Sequence, residues 1–293
     1  MPPPCRLDRN VTAVVGIEPT AFESAAEQRY HFSAAVDIPL VSEAPHLVLH
    51  CLRGEPTIDQ AKMRHVKELQ VLVQARDEPK RLTGICGGSI ITARHVLTAG
   101  HCLFLHGQRS PLSVLYGHTT LALAKQSAVV RAKLHPAYDD RTLMNDIAVL
   151  ELPHELNFSD TVQPVCLPTE DFPPLPGTIG VVAGWGYTSD SGKQHRNPYL
   201  LFVTQVIKPQ EYCVAKMQGY FYSPLTSFCA YRYGYDACQG DSGGGLMVLH
   251  DDRWYTVGII SYGIGCATPD LPGIYTDVTR YVGWLRHELR DEL

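Results

Sequence analysis

From about residue 66 onward the chain is written in short apolar runs, too short for most helices and closely punctuated. They fall at residues 69–73, 88–91, 113–116, 128–133, 147–150, 179–183, 201–206, 245–249, 255–261 and 273–276, with Gly, Pro and Asp between them. Many short strands at fairly regular spacing predict an all-β sandwich or barrels. Runs with few charges, such as residues 147–150, are expected to be buried. Only two helices are expected. A short one lies near residues 208–217, after Pro209 at its start. Another closes the chain at 278–289, with Thr279 as cap and Tyr281, Trp284, Leu285 and Leu289 on one face. Residues 1–50 have no clear period and are read as an N-terminal extension, propeptide-like, ahead of a main domain at 51–293.

At 293 residues and 45% hydrophobic, the chain can bury a full core. The net charge is −5 with no long basic run, so nucleic acid is not expected as a partner. No apolar run reaches the roughly 18 residues that span a bilayer, and no membrane partner is expected. Nine cysteines are scattered without a CxxC pair, which suits disulfides in an oxidising compartment and leaves one thiol over or one intermolecular bond. Sequons at Asn10 and Asn157 fit a secreted glycoprotein. A zinc site at His46, His50 and Cys51 has weak spacing, and neither metal nor cofactor is expected. The opening Met1-Pro2-Pro3-Pro4-Cys5-Arg6 is not a secretory signal, so the expectation is that the signal is missing from this sequence. The closing Arg290-Asp291-Glu292-Leu293 is close to an ER-retention tetrapeptide; the bland reading is the polar end of a helix.

The chemistry concentrates in Asp236-Ala237-Cys238-Gln239-Gly240-Asp241-Ser242-Gly243-Gly244-Gly245. A serine hydroxyl is a poor nucleophile until a base takes its proton. Surrounding glycines let backbone N–H groups approach one spot, as an oxyanion site requires. Alone, the stretch reads equally well as a glycine-rich turn. The base candidate is His101, reached directly from an apolar strand and followed by Cys102. The acid candidate is Asp146, at the mouth of the apolar run 147–150, where a carboxylate is costly to bury unless paired.

Seven motifs then occur in one order: Cys86-Gly87-Gly88-Ser89-Ile90-Ile91, Leu97-Thr98-Ala99-Gly100-His101-Cys102, Asn145-Asp146-Ile147-Ala148-Val149-Leu150, Gly184-Trp185-Gly186, the serine stretch, Ser261-Tyr262-Gly263 and Pro272-Gly273-Ile274-Tyr275-Thr276. Over roughly residues 52–290 the chain resembles the trypsin/chymotrypsin family of serine proteases, whose chain order of triad residues is His, Asp, Ser. The resemblance implies two six-stranded antiparallel β-barrels with a C-terminal helix and the site in the cleft. It implies Ser242 as nucleophile, His101 as base, Asp146 as its orienter, and the N–H groups of Gly240 and Ser242 as the oxyanion hole. It also implies a pocket with Asp236 at its base and Gly263 and Gly273 as small walls, hence a peptide substrate with Arg or Lys before the scissile bond. Tyr262 and Leu143 would line the next subsite, and Ser261-Tyr262-Gly263 would offer backbone to an extended substrate. Protease inhibitors are the other expected partners. The resemblance pairs Cys86–Cys102, Cys213–Cys229 and Cys238–Cys266, and Cys166 with Cys51 or Cys5. A further family disulfide is replaced by Gly180 and Val248, and the loop after Gly117 lacks the acidic pair that binds calcium in some relatives.

One departure matters. Family members are activated by cleavage before a motif like Ile-Val-Gly-Gly, whose new amine pairs with the aspartate before the nucleophile, here Asp241. The corresponding region reads Cys51-Leu52-Arg53-Gly54-Glu55-Pro56-Thr57 and holds no such motif. The alternatives are cleavage at an atypical site such as before Leu52, a substitute for the amine, or a latent homologue that acts by binding.

Overall fold

The structure, a computed structural model, describes residues 60–63, 65–77, 81–105, 107–172, 175–188 and 197–289. The N-terminal extension, Cys5, Cys51, the proposed zinc ligands, the activation region, the Asn10 sequon and the C-terminal tetrapeptide lie outside them.

Two one-turn helices, α1 (Gln60–Met63) and α2 (Val66–Leu69), lead into the first sheet. Its strands are β1 (Gln70–Asp77), β2 (Arg81–Ile90), β3 (His95–Thr98), β6 (Leu112–Tyr116), β7 (Lys125–Ala128), β8 (Arg131–Leu134) and β9 (Ala148–Glu151), and a small hairpin, β4 (Phe104–Leu105) with β5 (Gln108–Arg109), stands beside them. All pairings are antiparallel, in the order β7-β6-β1-β2-β3-β9-β8. The count is therefore seven strands, not the expected six. The reason is a bend in the run expected as one strand at 128–133. Val129 N–H still donates to Leu112 on the β6 side, while Val130 N–H donates to Glu151 on the β9 side. One chain segment thus serves both edges of the sheet and curls it toward closure.

The second sheet comprises β10 (Ile179–Gly184), β11 (Leu201–Val206), β12 (Ser227–Ala230), β13 (Gly245–His250), β14 (Arg253–Tyr262) and β15 (Gly273–Asp277), ordered β11-β10-β13-β14-β15-β12. An antiparallel bridge between Ile207 and Ala230 joins its two edge regions. Val181 faces Met247, so one step along the register sets Gly180 opposite Val248, the two positions where the family disulfide is absent. A Cβ on Gly180 would come within 2.3 Å of Leu246 Cδ2.

Alternation along the strands sorts the core into layers. Val71, Val73, Val96 and Leu150 fill the first barrel, and Val182, Phe228, Leu246 and Val257 fill the second. Their sequence neighbours Leu97, Val149, Val181 and Met247 form a third apolar layer between the sheets. Strands β3, β9 and β10 are buried on both faces, and the apolar runs Val96-Leu97, Ala148–Leu150 and Val181–Ala183 lie within them. Their ends deliver His101, Asp146 and the Gly184–Gly186 turn to one region.

Helix α3 (Gln210–Lys216) follows Pro209 as expected. The closing helix begins as a 3-10 turn, Val278–Tyr281, and continues as α4 (Val282–Glu288). Its cap is not Thr279 but Asp277, whose carboxylate accepts the Thr279 N–H at 3.1 Å. Tyr281, Leu285 and Leu289 are buried as the helical spacing predicts. Disulfides join Cys86–Cys102, Cys213–Cys229 and Cys238–Cys266. Cys166 is also disulfide-bonded, to a partner outside the described residues.

Candidate active site

His101 sits in the 3-10 turn Gly100–Leu103 directly after β3, and the Cys86–Cys102 disulfide ties that turn back to β2. Asp146 is fully buried just before β9. Its Oδ1 accepts the His101 backbone N–H at 2.8 Å and its Oδ2 accepts from His101 Nδ1 at 2.8 Å. An ionised carboxylate can only accept, so Nδ1 carries the hydrogen and the neutral ring keeps its lone pair on Nε2. Burial works against an imidazolium here, but the charge and hydrogen bond of Asp146 outweigh it and hold the His101 pKa above the ordinary histidine value. Two more groups of the second sheet fix Asp146: Ser261 donates to Oδ2 at 2.5 Å, and Thr276 Oγ1 donates to its carbonyl at 2.9 Å.

Ser242 lies in the turn before β13. Gly87 N–H of β2 donates to its carbonyl at 2.7 Å, and Cys102 Sγ sits 3.5 Å from the same oxygen and 3.8 Å from His101 Nε2. The disulfide therefore stands between base and serine turn. No hydrogen bond joins the Ser242 hydroxyl to His101 among the described residues. Such contacts are often long before substrate binds. Cys86, His101 and Cys102 cluster closely enough to suggest a metal site, but both sulfurs are spent in the disulfide. Gly240 has a φ of +98°, which only glycine takes without strain, and the N–H groups of Gly240 and Ser242 have no acceptor among the described residues.

Beside Ser242 opens a cavity of about 180 Å³. Asp236 lines it, with Oδ1 accepting from Ala237 N–H at 2.9 Å and Oδ2 from Ala267 N–H at 3.1 Å. Burial pushes its pKa up to about 6 against the pull of these two N–H groups, and the charge of Asp241 adds to the rise. Gly273 and Gly263 also line it, and a Cβ on Gly273 would stand 3.2 Å from Asp236 Oδ1. Tyr262 lines it too and donates its hydroxyl to the Phe221 carbonyl. Leu143 does not line this cavity; it is half-buried in the loop before Asp146 with a φ of +54°.

A family model described as Trypsin matches residues 58–285. The chain belongs to the trypsin family. The two curled antiparallel sheets and short C-terminal helix are the fold this membership carries.

Some contacts of the candidate site are not visible in its motifs. Tyr275, inside the motif at 272–276, lines the cavity, and its buried hydroxyl has no partner among the described residues. Ser261, expected to offer its backbone to a substrate, also bonds Asp146 through its side chain. Asp241 is buried, with Oδ1 accepting from Gly186 N–H at 2.7 Å and Oδ2 from Cys238 N–H at 3.0 Å. Burial raises its pKa against those two bonds. No cation reaches it among the described residues. A second cavity, about 310 Å³, opens onto Asp241 from the side of Gly184, Gly186, Phe202 and Tyr235.

Proposed function

We propose that the protein is a serine endopeptidase that hydrolyses peptide bonds after Arg or Lys through an acyl-enzyme. The observation that carries this reading is the buried Asp146 holding His101 Nδ1 at 2.8 Å, beside a serine turn and a cavity lined by Asp236. Ser242 attacks the scissile carbonyl, and His101 Nε2 takes its proton and returns it to the leaving amine. Asp146 holds the tautomer and stabilises the imidazolium. Gly240 and Ser242 N–H groups receive the oxyanion. In the pocket, Asp236 supplies a two-oxygen acceptor for a guanidinium or ammonium, and the two glycine walls leave room for its stem. Tyr262 walls the next subsite, Ser261-Tyr262-Gly263 pairs with the substrate strand, and proteinaceous inhibitors occupy the same cleft. Residues 1–50 act as a propeptide-like extension of a secreted zymogen, and the exposed Asn157 is its described glycosylation site.

A second reading, a latent homologue that binds rather than cleaves, draws support from Asp241, which meets only backbone N–H groups among the described residues. Labelling with a fluorophosphonate before and after limited trypsin digestion, with sequencing of any new N-terminus, separates the two. Label on Ser242 supports the endopeptidase. A folded protein that never labels leaves the latent homologue.

A further inference from the structure

Asn145 carries a φ of +55°. Left-handed backbone is uncommon for residues with a Cβ, and asparagine is among the least penalised there. Its carbonyl accepts the Ile147 N–H at 2.8 Å, which closes a three-residue turn with Asp146 at its centre. Conformations of this kind persist where the surroundings over-determine them. Here the surroundings are specific. Asn145 Nδ2 donates to the Ala137 carbonyl at 2.7 Å, and the Tyr281 hydroxyl donates to Asn145 Oδ1 at 3.0 Å. Tyr281 is itself held at the start of α4, buried, with His135 edge-on to its ring at 5.1 Å and to Trp284 at 5.2 Å. His135 in turn donates its N–H to the Ile147 carbonyl at 3.1 Å, on the far side of the same turn.

We infer that Asn145, locked by Tyr281, is a positioning residue: it sets the turn that aims the Asp146 carboxylate at His101. The C-terminal segment thereby orients an acid that the first barrel carries. This rests on the hydrolase reading of the site, but its first readout needs no turnover.

The test uses the full chain. Tyr281→Phe removes one oxygen and keeps the ring contacts. Asn145→Gly keeps the left-handed backbone and removes both side-chain hydrogen bonds. In each, the low-field proton NMR signal of His101 Nδ1–H is expected to shift, and kcat to fall about tenfold with KM unchanged. Misplacement by an ångström can cost up to about 10²-fold. Lys133→Met deletes a tie between β8 and the end of α4, the 2.7 Å bond from Nζ to the Glu288 carbonyl, without touching the turn. It is expected to lower Tm and leave the signal and kcat alone. An unmoved signal in both Tyr281→Phe and Asn145→Gly overturns the inference, as does Lys133→Met reproducing their losses, because a general undocking of the helix then explains them. If the wild-type chain neither labels nor turns over, the hydrolase reading fails by itself, and the proton signal still decides the positioning.

Discussion

The hydroxyl of Ser261, on β14 of the second sheet, donates to Oδ2 of Asp146, ahead of β9 in the first, at 2.5 Å. Oδ2 is the atom that also receives His101 Nδ1, so the two sheets share one acceptor. Ser261 is 3% exposed and Asp146 0%, and water cannot replace a lost donor freely. Ser261→Ala is expected to cost about 1.5–3 kcal/mol in urea unfolding, the usual worth of a hydrogen bond to a charged group, and to lower kcat more than it changes KM. Unchanged stability would show the contact to be idle.

The pH dependence of kcat/KM reports groups of the free enzyme. On the proposed mechanism, His101 must be neutral to take the serine proton, and Asp236 must be ionised to hold a cationic side chain. Both pKa values are raised, so activity is present at high pH and lost as pH falls. As pH drops, log kcat/KM for an arginine substrate is expected to fall about one decade per pH unit once His101 protonates. Below about pH 6, where Asp236 protonates as well, the slope should approach about two. Asp236→Ser should lose arginine and lysine turnover and, on a substrate with a neutral side chain, keep the single slope. Undiminished arginine turnover in that variant would refute the pocket assignment.

What was legible in the sequence follows from where burial is two-sided. Strands β9 and β10 are apolar on both faces, so residues 147–150 and 179–183 stood out as runs. Strand β12, Ser227–Ala230, was not among them, although it too is buried along its whole length. Its four residues mix serine and alanine with Phe228 and Cys229, too short and too mixed to mark a run. The bend at Val129-Val130 left no punctuation, because neither residue is Gly or Pro; it is imposed by two neighbours pulling on one segment. At the candidate site, the proposed nucleophile, base and glycines are legible as motifs because such groups have few substitutes. The ties of Ser261, Thr276 and Tyr281 to the Asp146 turn were not, since they join residues 115 to 136 positions apart, and only closure of both sheets brings them together.

The Cys86–Cys102 disulfide closes a separation of 16 residues and anchors the His101 turn. A loop of that size is worth about 3 kcal/mol in the chain-entropy account. Replacing both cysteines by alanine is expected to lower stability by about 2–4 kcal/mol. It should also slow fluorophosphonate labelling of Ser242, because Cys102 Sγ then no longer fills the space between the His101 ring and the Ser242 carbonyl. A loss of stability with labelling at the wild-type rate would confine the disulfide to the fold.

Gly184 and Gly186 test whether Asp241 governs the serine turn. A Cβ on Gly184 would stand 2.1 Å from Asp241 Oδ1, and one on Gly186 2.5 Å from it. Neither glycine has a positive φ, so the requirement is space alone. Gly184→Ala must push the carboxylate off the Gly186 and Cys238 N–H groups that hold it. Asp241 follows Gly240 and precedes Ser242, so the displacement moves both proposed oxyanion donors. Overpacking of this kind costs about 1–3 kcal/mol, and labelling of Ser242 is expected to fall at least about tenfold, since losing one oxyanion donor typically costs about 10²–10³. Gly283, inside α4, has open space around its Cβ position. Gly283→Ala is therefore expected to stabilise the protein by about 0.5–1 kcal/mol and to leave labelling untouched. Equal labelling in Gly184→Ala and the wild type would separate Asp241 from the chemistry.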